Sequence, residues 1–87
     1  MKRFWIRFKS IPQYSSLRLG CGVTAYDYDD AVSILRDTVF RNKELPLVDT
    51  VVEDIDVSTL DQKHVVPNME PVIWRGVWFP KGFAFPH

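Results

Sequence analysis

Along the first nine residues Phe4, Ile6 and Phe8 alternate with Arg3, Trp5, Arg7 and Lys9. A period of two suits a strand with one buried face, because successive side chains point to opposite sides of a sheet. The alternation stops at Ile11–Arg18, where Pro12 and the polar run 13–16 predict a loose connection, the most flexible part of the chain. Residues 20–25, GCGVTA, predict a short second strand whose glycines leave space for a neighbouring backbone or mark a bulge.

The period then changes to that of a helix. Ala31, Ile34, Leu35, Thr38 and Val39 fall on one helical face. Asp27 is placed to cap the first turn, and Asp29 and Asp30 suit the positive end of the helix dipole. Arg36 and Arg41 lie toward the negative end, and Pro46 forbids continuation, so the helix is expected over residues 28–41.

The β-branched run 48–57, VDTVVEDIDV, predicts a third strand. Its parity slips, with Val48, Thr50 and Val52 on one side and Ile55 and Val57 on the other, so a bulge is expected near Val52 or Glu53. The polar stretch 58–71 predicts a connection with one helical turn around residues 58–61. Residues 71–79, PVIWRGVWF, predict a fourth strand that Pro80, Lys81 and Gly82 terminate. The tail FAFPH either adds a short edge strand or folds back over the core. The order is ββαββ: an α+β domain with a four-stranded, mostly antiparallel sheet, one amphipathic helix on one face, and no helix on the other.

Composition narrows the class. With 46% hydrophobic and 14% aromatic residues, the chain of 87 residues can build one dense core and does not have the makeup of a disordered segment, so a single domain over 1–87 is expected. The formal net charge is zero, which removes any global field toward nucleic acid. The charges are nevertheless segregated. Lys2, Arg3, Arg7, Lys9 and Arg18 open the chain, whereas residues 27–61 hold most of the carboxylates. Either basic and acidic strands pair across the sheet, or the acids form a face for a basic partner.

Cys21 is the sole cysteine, which excludes an internal disulfide and a multi-thiolate zinc site and favours a reducing, cytoplasmic location. Arg7 and Lys9 interrupt the opening before a signal-peptide core develops, and no apolar run reaches the ~18 residues of a membrane span.

Several groups have the residue types of a site. Asp54 and Asp56, alternate residues of a strand with Asp61 beyond them, are candidate ligands for a divalent cation, but two carboxylates fall well short of the six or more oxygens such an ion takes. A solvated or partner-facing acidic surface is the simpler reading. Cys21 with His64 as its base would suit a thiol enzyme, yet no orienting third group is evident and a lone strand cysteine is usually a small buried hydrophobe. Asp61, His64 and Asn68 read as a polar latch for a loop backbone. Trp74, Arg75 and Trp78, with Phe83 and Phe85, form the densest aromatic group, either core or an exposed anchor. Trp5, on the polar parity of the first strand, is the aromatic expected to be exposed.

The segments GCGVTAYDYDDAVSIL, DIDVSTLDQKHVVPNM and WRGVWFPKG resemble a group of short, uncharacterised bacterial proteins. The resemblance implies one compact intracellular domain and carries no activity or site residues.

The expectation that follows is a non-catalytic protein-binding module, of the kind a bacterial immunity or inhibitor protein represents, without a cofactor. Glu53, Asp54, Asp56 and Asp61 would supply charge to a protein partner, and Trp5, Trp74, Arg75 and Trp78 aromatic anchoring. The alternatives are single-stranded nucleic-acid binding through the first strand, and a small enzyme built on Cys21 and His64 or on a metal at Asp54 and Asp56. Open sheet edges leave a homodimer as a further arrangement.

Overall fold

A computed structural model describes residues 1–11, 15–41 and 43–82. Strand β1 spans Lys2–Phe8 and β2 Cys21–Ala25; helix α1 spans Tyr28–Asp37; β3 spans Val48–Glu53 and β4 Gly76–Phe79. The sheet order is β3, β1, β2, β4, and every pair is antiparallel. The α+β architecture expected from the sequence is therefore the one observed. The tail 83–87, with Phe83 and Phe85, and residues 12–14 of the expected loose connection lie outside the described residues. The rest of that connection contains a 3₁₀ turn, Ser16–Leu19, capped by the Ser15 hydroxyl.

Helix α1 starts where its cap predicts. The Asp27 carboxylate accepts from the Asp30 N–H at 2.8 Å, which satisfies one orphan donor of the first turn, and Asp30 in turn accepts from the N–H of Tyr26, the residue before the cap, at 3.0 Å. The helix ends at Asp37, earlier than Arg41, and Thr38–Arg41 continue as turns. Ala31 and Leu35 are buried against Phe4, Ile6, Phe8, Cys21, Val23, Ala25 and Val77, and Phe40 meets the Phe8 ring edge-on at 5.1 Å. This layer sits mainly over β2 and β4.

The opposite face is not open, which corrects the expectation of an uncovered sheet. Residues 55–72 return across it and bury Ile55, Leu60 and Val65 against Trp5, Trp78 and Phe79. The crossing starts at Asp54, whose φ of 54° breaks β3. Beyond it the Ile55 N–H donates to the Arg3 carbonyl at 3.0 Å. The parity slip is thus real but falls one or two residues later than expected. A separate register shift opposite Arg7 and Phe8 leaves Asp49 as the extra residue of β3.

Trp5 and Trp78 occupy the centre of this second layer, 6% and 1% exposed, with ring centroids 5.7 Å apart. The glycines of Gly20-Cys21-Gly22 explain how two indoles fit against a strand. A Cβ on Gly22 would lie 2.3 Å from the Trp78 ring, and one on Gly20 would lie 2.8 Å from Trp5. The glycines form a flat floor for the rings, while Cys21 points to the helix side. Their space serves indoles and not a neighbouring backbone.

Candidate functional site

At the end of the sheet where β1 begins and β2 finishes, a cavity of about 410 Å³ is lined by Met1, Arg3, Thr24, Asp54, Val72 and Ile73. The segment forming its lip is part of the run expected as a long fourth strand. Only Gly76–Phe79 is strand; residues 72–75 form a turn. The cause is two long-range anchors. The Thr24 hydroxyl donates to the Val72 carbonyl at 2.6 Å. Three residues later the Arg75 guanidinium clamps both oxygens of Asp30, with Nε at 3.0 Å. Arg75 also lies over the Tyr26 ring at 5.6 Å from its centroid. This bond, first among its causes, holds the Asp30 carboxyl below its usual range.

Between the two anchors Ile73 and Trp74 are held out to solvent, 71% and 54% exposed, with Met1 and Tyr26 also exposed at this end of the sheet. Large exposed apolar side chains on an anchored turn lose little freedom on binding, which is what an interface anchor requires.

The residues singled out in the sequence separate sharply. Asp54 lies in the cavity wall, whereas Trp74 follows Ile73 of the lip and is exposed without lining the cavity. Arg75 is there too, but as the clamp on Asp30. Trp5 and Trp78 are core residues, so the expected exposure of Trp5 is corrected: flanking arginines suggested a wet face that the 55–72 crossing covers. With both indoles buried, β1 presents no open aromatic platform on which bases could stack.

Among the acids, Glu53 forms a salt bridge with Lys2, an instance of basic and acidic strands pairing across the sheet. Asp56 caps the 3₁₀ turn Val57–Thr59, accepting from the Ser58 N–H at 3.0 Å and its hydroxyl at 2.7 Å. Those bonds lower its pKa, with a smaller contribution from the charge of Arg3. Asp61 accepts from the N–H groups of Lys63 and His64 at 2.8 and 2.9 Å and contacts His64 Nδ1 at 3.1 Å. Asn68 closes the same loop by donating to the His64 carbonyl at 2.9 Å. The polar latch read from the sequence is formed, and it drives the Asp61 carboxyl down to about 2, with the His64 N–H bond the largest cause.

Neither chemical arrangement considered from the sequence is assembled. Burial pushes the Cys21 thiol up to about 12, and Cys21 packs on the helix side whereas the His64 loop belongs to the segment crossing the other face. Asp54 has left the strand and Asp56 is occupied by Ser58. No group of three or more His, Cys, Asp or Glu side chains gathers as a metal cage among the described residues. Among the same residues no helix is long and apolar enough to cross a membrane.

Sequence reasoning missed Met1, Arg3, Thr24, Tyr26, Val72 and Ile73. The available signal was Pro71 and Gly76 bracketing the run 71–76, which favours a turn over a strand interior. Comparison with protein-family models, curated proteins and solved structures finds no match to this chain.

Proposed function

We propose that the protein is a non-catalytic binding module that presents Ile73 and Trp74, with the adjoining cavity, to a protein partner. The observation that carries this reading is the display of two large apolar side chains between the Thr24–Val72 and Asp30–Arg75 anchors. Asp54 and Arg3 both lie in the cavity wall, so the surface beside this apolar lip offers one acid and one base. A partner that sets an apolar patch against the lip and a basic residue against Asp54 is complementary to it, as a toxin or nuclease is to an immunity or inhibitor protein.

Affinity capture from the native source with tagged protein, scoring bound proteins and bound nucleic acid together, tests the reading. One stoichiometric protein, lost when Ile73 and Trp74 are both replaced by Ser, is the expected result. Both residues are more than half exposed, so the double variant keeps its fold. Recovery of nucleic acid alone, or a partner retained by the double variant, would overturn it.

A further inference from the structure

The cavity and the turn beside it form a hole and a knob on one surface. The cavity of about 410 Å³ has room for an indole ring. Trp74, the residue after Ile73 of its lip, is 54% exposed and does not fill it. A two-fold axis passing between the two sets the knob of each copy into the hole of the other, which is the self-complementarity an isologous contact requires.

The charges fit the same symmetry. Arg3 reaches the cavity from β1, level with Thr24 of β2, and Asp54 from the position just past β3. Among the described residues these two form no ion pair with each other or with any other side chain, whereas the neighbouring Lys2 and Arg75 are paired with Glu53 and Asp30. Asp56, the other acid within range of the Arg3 charge, is already bonded to Ser58. One base and one acid left over on a single surface can be used twice about a two-fold axis, Arg3 of each copy meeting Asp54 of the other. The cavity wall also suits an indole: a guanidinium is attracted to the ring face, a carboxylate accepts the ring N–H, and Met1 and Val72 supply apolar contact.

We infer that the partner of this surface is a second copy of the chain, docked about a two-fold axis with Trp74 of each copy in the cavity of the other. The inference rests on the reading of Ile73 and Trp74 as a binding surface and names its occupant. A second copy brings both things that surface is complementary to, an apolar patch for the lip and, in Arg3, a basic residue for Asp54. Asp27 and Asp29, at the start of α1, are acids of this end that form no ion pair among the described residues. The helix dipole offsets them, and physiological salt screens their repulsion between copies.

The test is sedimentation equilibrium of the purified protein over a concentration series at about 0.15 M salt, with no other protein present. The mass should rise toward twice that of one chain, and quenching of tryptophan fluorescence by iodide should fall with it. Trp74→Ala should weaken the association by about a hundredfold or more, because each substitution removes two contacts per dimer, with the melting temperature of the dilute protein retained. Arg3→Asp and Asp54→Lys each set like charges against each other across the axis and should be monomeric alone. An equal mixture of these two variants should associate as the parent does, since every contact is then again base against acid. A dimer indifferent to Trp74→Ala, or a mixture no better associated than its components, would overturn the inference. So would a protein that stays monomeric throughout; capture of a foreign protein through Ile73 and Trp74 would in that case leave the binding surface standing, and its failure would remove both.

Discussion

Replacing Gly22 by Ala tests the packing that defines the second face. The added Cβ would lie 2.3–2.4 Å from three atoms of the Trp78 six-membered ring. Carbon contacts are comfortable from about 3.5 Å, so ring and strand must separate by about 1.2 Å. Trp78 has nowhere to go, being 1% exposed and stacked on Trp5 in a cluster that includes Ile55, Val65 and Phe79. Overpacking of a filled core costs about 1–3 kcal/mol, and a rigid double ring places this case at about 3. Reduced freedom of the unfolded chain returns about 0.4–1 kcal/mol, leaving a net loss of about 2 kcal/mol. For a domain of this size that lowers the melting temperature by roughly 8–16 °C. Urea titration followed by circular dichroism reads the change as a lower midpoint at constant slope. In a Trp78→Leu background the same Gly22→Ala change should cost less than about 1 kcal/mol, since the obstructing ring is gone. A Gly22→Ala protein as stable as its parent, or equal costs in both backgrounds, would refute the reasoning.

Two further outcomes follow from the buried thiol and the latched loop. Cys21 should resist a disulfide reagent at pH 8 in the native protein and react fully in denaturant, because burial raises its pKa from 9.0 to about 12; rapid native reaction would contradict its placement. Asp61 has its folded pKa lowered from 3.8 to about 2, so its contribution is present above about pH 4 and is lost as pH falls through about 2. Urea midpoints should therefore decline across that window, less steeply for Asp61→Asn, and parallel pH profiles would show that the latch is not formed.

The parts legible in the sequence are those set by neighbours along the chain. The buried parity of Phe4, Ile6 and Phe8 in β1, the Asp27 cap and the Asp61 latch depend on residues within about four positions, and the structure reproduces them. What the sequence concealed depends on distant partners. Residues 71–79 read as one apolar strand, yet Thr24 and Asp30 bond Val72 and Arg75 and turn the first half outward. Trp5 sits between arginines that reach solvent at the strand ends, but its centre is roofed by residues 55–72, a segment with no regular period to announce that it packs. The two glycines were visible as missing side chains. Their purpose emerged only when β1 and β4 brought indoles over them.

The claim that the exposed turn is the binding surface is tested most directly by titrating the purified partner against the protein and its Trp74→Ala variant by calorimetry, with melting curves alongside. The variant should lose roughly 30-fold in affinity, about the 2 kcal/mol of an interface anchor, at an unchanged melting temperature. An affinity equal to that of the parent would contradict the assignment of Ile73 and Trp74 as the surface the fold is built to display.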